Sequence, residues 1–106
     1  MLFRSVVPRV EVDHWLDLDP SVNAHLVAVA QTIGRAQMVA FAPTRVGLMV
    51  AGLEVPHVHL HVVPMDDVHD LDFANAASAP DPAALDDAAT RIRDALRAAG
   101  AVGVSD

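Results

Sequence analysis

The sequence contains no cysteine. That removes disulfides, thiolate zinc sites and cysteine nucleophiles together, and it fits a reducing compartment. Positive charge is also scarce: 7 Lys and Arg stand against 14 Asp and Glu, for a formal charge of −7. That argues against non-specific binding to DNA, RNA or anionic lipid by counter-charge. It does not forbid one small anion, because helix N-termini and backbone N–H groups can bind it locally. There is no run of about 18 apolar residues to span a membrane, and no h-region of a signal peptide follows the first arginine. What is present is 106 residues, 53% apolar and 20% charged, enough for one folded domain with one modest core. These bounds describe a small soluble cytoplasmic domain.

Two helices announce themselves by their starts. In Asp19-Pro20-Ser21 the aspartate can cap free N–H groups and proline suits the first turn. Val22, Leu26, Val29, Ile33, Ala36 and Ala40 then recur at three- and four-residue steps, which predicts an amphipathic helix to about Phe41, closed by Ala42-Pro43. Asp81-Pro82 repeats the start. Leu85, Ala88, Ala89, Ile92, Leu96 and Ala99 give the second stripe, with Gly100 at its end. Arg91, Arg93 and Arg97 lie in its C-terminal half, where cations suit the helix dipole.

Three apolar runs read as strands: "SVVPRV", ended by Pro8; "RVGLMVAG"; and "HVHLHVV", ended by Pro64. Gly52-Leu53-Glu54 has the length of a tight antiparallel connection between the last two. Asp66 to Pro82 lacks periodicity and reads as a surface loop. The fold class is α+β, an antiparallel sheet with a long central helix and a C-terminal helix. Two full strands and a stub make a thin sheet for two helices.

The chemistry concentrates in "EVPHVHLHVVP", Glu54 to Pro64, which sets His57, His59 and His61 at alternate positions. In a strand the three imidazoles share one face and form a row able to address one bound group, while Val58, Leu60 and Val62 face the core. Three readings stand at this point. The row is structural; or it binds a metal, with Asp66, Asp67, His69 and Asp70 completing the shell; or its middle histidine is a nucleophile whose neighbours hold phosphate oxygens and move protons.

At these residues the chain resembles the histidine triad (HIT) family, whose signature is His-x-His-x-His followed by two apolar residues. "HVHLHVV" fits at every position, and "AGLEVP" is similar to the family's approach to it. Upstream, "VVPRVEVDHWLDLDP" is similar to the family's strand, basic turn and histidine-bearing loop. The likeness runs from Val6 to about Pro64, loosely includes the C-terminal helix, and is closest to an actinobacterial branch.

The resemblance implies a hydrolase or transferase that moves a nucleoside monophosphate, often AMP, from a phosphoanhydride or phosphoramidate, with no cofactor. His59 would be the nucleophile. His57 and His61 would flank the phosphate, and His14 would match the family's additional histidine near the site. Gly52, Glu54 and Val55 would contact the substrate. His25 and His69 match nothing in the family and are expected to be exposed, and Trp15 is expected to pack against the long helix. The implied partners are a small nucleotide and, at full length, a second copy in a homodimer. A binding-only remnant and a histidine-based metal-binding domain are the alternatives.

Two departures stand out. Leucine occupies position 53, where the family commonly has glutamine, and "RVGLMV" lacks the asparagine common there. The resemblance also makes residues 1–106 one HIT-like domain without the family's N-terminal helix and hairpin. Leu-Phe-Arg-Ser is what the tail of a widely used sequencing adapter encodes, so Met1 to Ser5 are expected to be non-native.

Overall fold

The computed structural model describes residues 4–53, 55–72 and 81–104. Helix α1 (Pro20–Phe41) starts as its sequence dictates: the Asp19 carboxylate accepts from the Ser21 N–H, and Pro20 fills the first turn. It ends where Ala42 turns into the left-handed region and returns its N–H to the Met38 carbonyl. Helix α2 (Pro82–Ala98) is capped the same way by Asp81. The Arg91 guanidinium bonds the Ala40 carbonyl and lies 5.0 Å over the Phe41 ring, fastening α2 to the end of α1.

Strands β1 (Arg4–Val6), β2 (Arg45–Met49) and β3 (Leu60–Met65) form an antiparallel sheet in the order β1-β3-β2. The histidine-rich strand is thus central, registered by Val6↔Leu60 on one side and Met49↔His61 on the other. Residues 50–59 join β2 to β3, so the expected tight connection at Gly52-Leu53-Glu54 is a long loop, and Glu54 lies outside the described residues. Pro64 does not end the strand either. It is buried inside β3 opposite Val46. A strand proline is tolerated where no ladder bond needs its missing N–H, and the described pairing with β1 stops at Val62.

The core cluster joins Val58, Leu60 and Val62 to Leu26 and Ala30 of α1 and to Val6 and Leu18. The stripe of α1 is rotated from the expected one. Ala30, Gly34, Ala36 and Gln37 are buried with Leu26, whereas Val22, Val29 and Ile33 are only partly covered. Close approach is the reason: a Cβ on Gly34 would stand 3.2 Å from Val46 Cγ1, so the contact face takes small residues and leaves larger ones at its flank.

Gln37 is wholly buried, and its Nε2 donates to the Val62 carbonyl at 3.1 Å. Gln37→Glu would turn that donor into an acceptor facing an acceptor and would bury a carboxylate. The expected loss is about 3 kcal/mol or more, read from urea unfolding at pH 7, and smaller at pH 5 where the acid is more readily neutral.

The expected loop after β3 contains a 3₁₀ turn at Val68–Leu71, and residues 73–80 of it lie outside the described set. Its acids serve the backbone. Asp66 accepts from the Thr44 N–H and hydroxyl, and Asp70 from the N–H groups of Asp66 and Asp67. Those bonds hold both carboxyls below the usual carboxylate range. Among the described residues no group of three or more His, Asp or Glu is placed to hold a metal ion. No helix among them is long and apolar enough to cross a membrane.

Candidate active site

The neighbours of β3 run out near Leu60, because β1 ends at Val6 and β2 at Met49. His57 and His59 therefore precede the hydrogen-bonded strand, and of the three only His61 lies within it. The chain upstream finds a different support: the Val58 N–H donates to the Val12 carbonyl at 2.7 Å. The expected alternation holds in burial only as far as Leu60. Val58 and Leu60 are each 1% exposed and His57 and His59 half-buried, whereas His61, Val62, Val63 and Pro64 are all buried within the paired strand. The Val55 carbonyl accepts from the His57 N–H across Pro56 at 2.8 Å, which turns the chain into the site.

Two backbone carbonyls set the imidazole tautomers. His57 Nε2 lies 2.9 Å from the Pro8 carbonyl oxygen, and His59 Nδ1 lies 2.8 Å from the His57 carbonyl oxygen. A carbonyl only accepts, so each of these nitrogens carries a proton and donates it. A neutral His59 then presents its lone pair at Nε2, with the imidazole plane fixed from behind. His61 stands edge-on to it, ring centroids 4.6 Å apart at 85°. His61 is buried, and that burial, followed by repulsion from His59, pushes its pKa below the ordinary histidine value. The row thus holds an oriented imidazole beside one kept neutral, which suits attack on an electrophilic phosphorus and handling of its protons.

The lowered pKa has a measurable consequence. An unfolded chain takes up a proton near pH 6.5, whereas folded His61 resists it to lower pH. Its contribution to stability is present above about 6.5 and is lost as pH falls from there toward the lowered folded value. Thermal melts between pH 8 and 5 should show falling stability over this range, and His61→Gln should flatten the fall. The hydrogen-bonded aspartates act only at more acidic pH, because their values lie below 3.8.

The remaining expected site residues are placed unevenly. The Val12–Val58 bond brings the His14 segment alongside the triad, and the His14 carbonyl accepts from Asp17 at the first 3₁₀ turn. The His14 ring itself is exposed, with no hydrogen bond or ring contact to the triad among the described residues. Gly52 takes φ +72, a conformation that favours glycine, and a Cβ there would sit 4.0 Å from the Asp13 carbonyl. Val55 is half-exposed and Leu53 is 93% exposed. Trp15 is 44% exposed, so it packs less closely than expected; His25 and His69 are exposed as expected. Sequence reasoning missed Pro8, whose functional atom is a main-chain carbonyl with no side-chain signal to betray it.

Solved structures share this architecture. A zinc-bound histidine triad family protein from Mycobacterium smegmatis superposes with a TM-score of 0.72 and 23% identity, covering 92% of this chain and 70% of that one. A Hit-like protein involved in cell-cycle regulation from Bartonella henselae gives 0.69 and 22%, covering 88% and 70%. At these identities the likeness establishes the fold. The family model described as the HIT domain matches residues 2–68, more than half of the chain. The chain belongs to the histidine triad family. For a HIT domain the general kind of function is that of a nucleotide-binding hydrolase or transferase, and the α+β sheet with two helices is the family's fold.

Proposed function

We propose that this HIT domain cleaves a phosphoanhydride or phosphoramidate at the α-phosphorus of an AMP-type nucleotide through a nucleotidyl intermediate on His59. The observation that carries this reading is the 2.8 Å bond from His59 Nδ1–H to the His57 carbonyl, which leaves Nε2 as the attacking atom. The Nε2 lone pair forms an N–P bond while the bond from phosphorus to the leaving group breaks. The departing pair takes a proton that a flanking histidine has first taken up from solvent. Positive charge then developing on the His59 imidazole is met by the carbonyl already bonded to Nδ1. Water next attacks the phosphorus and gives a proton to the flanking histidine left neutral by the first step, and the N–P bond returns its pair to Nε2.

His57 and His61 bind the phosphate oxygens and manage these protons in this reading. Gly52, Glu54 and Val55 contact the substrate in this reading, and His14 joins the site when substrate is bound. The substrate is a small nucleotide rather than a nucleic-acid polymer, and the setting is cytoplasmic. The exposed β2 residue Leu48 and the neighbouring α1 residue Met38 support a homodimer built on that edge.

A radiolabelled adenosine phosphoramidate tests the chemistry. Label should survive denaturation, stay in base and be released by acid, as an N–P bond requires. Nucleotide binding without trapped label would instead identify a binding-only remnant. The zinc-bound state of the Mycobacterium smegmatis neighbour favours a second reading, zinc on the same histidines, for which His57 Nδ1 and His59 Nε2 offer lone pairs. Under the nucleotidyl reading trapping should persist unchanged in excess EDTA. Its loss in EDTA, restored by zinc alone, would favour the metal.

A further inference from the structure

We propose that the cleft between α1 and the segment after α2 is an effector site for an amphipathic anion, a carboxylate on an apolar chain, and that its occupancy reaches His57 through Arg9. The cleft has a volume of about 850 Å³, within the range of small-molecule sites. Val29 and Ile33 of α1, Leu96 of α2 and Val102 and Val104 beyond it supply apolar walls. Arg9 and His25 also line it, and no Asp or Glu does among the described residues. Arg9 forms no ion pair or hydrogen bond among the described residues. Apolar walls beside an uncommitted guanidinium suit a ligand with one carboxylate and an apolar body, since the planar fork matches carboxylate geometry.

None of His57, His59 and His61 lines this cleft, so it is separate from the triad. The connection is covalent. The Pro8 carbonyl that accepts from His57 Nε2 belongs to the same peptide unit as the Arg9 nitrogen. That unit is planar, so a pull on Arg9 that tilts it tilts the acceptor that orients His57.

Decanoate titrated into the full chain by calorimetry tests the site, with decanol as the neutral comparator. Decanoate should bind at least about tenfold more tightly than decanol, the scale of one charge-assisted hydrogen bond. Arg9→Gln, at an exposed position, should erase that difference. Ala28→Trp, also exposed and on the cleft wall, should abolish binding of both with no change in melting temperature. Saturating decanoate should shift the His57 imidazole ¹⁵N resonances of the wild-type chain and leave them unmoved in Arg9→Gln. Equal affinity for decanoate and decanol, affinity unaffected by both variants, or a His57 signal unmoved at saturation would each overturn the proposal. No turnover is measured, so the outcome is independent of the proposed chemistry at His59.

Discussion

His59→Ala is expected to abolish trapped nucleotide label and to lower turnover by about four orders of magnitude. In the proposed reaction the effect is large because alanine removes the atom that would form the N–P bond. His57 Nε2 is turned to the Pro8 carbonyl, and His61 is buried beside His59 rather than presented in its place. Stability should change little, since His59 is half-buried and loses one hydrogen bond, worth about 1 kcal/mol. His57→Ala should cost less in turnover, about two orders, and should still trap label, because the attacking nitrogen remains. The decisive measurement is label retained after denaturation, compared across wild type and both variants. Trapping preserved in His59→Ala would place the nucleophile elsewhere.

Leu60→Ala is expected to be the most damaging simple truncation to stability. Leu60 is 1% exposed, lies in the central strand opposite Val6, and belongs to the core cluster with Leu26 and Ala30. Emptying that site costs about 3 kcal/mol, a large share of the roughly 5–15 kcal/mol that holds a domain together. The melting temperature should fall on the order of 15 °C for a domain of this size. Leu53→Ala provides the control: the same atoms are removed from a side chain 93% exposed, and the change should stay within about 0.5 kcal/mol. Urea unfolding of the two variants separates them. Equal losses would mean that the strand does not carry the core.

The helices were legible because their signals are local. Asp19-Pro20 and Asp81-Pro82 place the cap and the first turn within a few residues, and both helices begin there. The buried face of α1 was less legible. Periodicity favours the large residues Val29 and Ile33, yet the tight approach at Gly34 puts Ala30 and Gln37 against the sheet instead. Gln37 itself has no apolar signature, and only its partner on the neighbouring strand explains its burial. Pro8 and Pro64 both carry the sequence signal of a strand end. β1 in fact stops at Val6, whereas Pro64 lies within β3, because a proline breaks a strand only where its missing N–H is needed.

By itself, the sequence determined the helix starts, the alternation that buries Val58 and Leu60, and three histidines two residues apart on the other side of the chain. Those are properties of side-chain type and spacing. Tertiary structure decided that the histidine segment becomes the central strand only from Leu60 onward. It also decided which nitrogen of each imidazole is committed, through the carbonyls of Pro8 and His57. Every residue has the same carbonyl group, so the carbonyl that ends up beside a given imidazole is written in no side-chain pattern. Only the approach of the loop after β1 to the entry of β3 puts the Pro8 carbonyl within reach of His57.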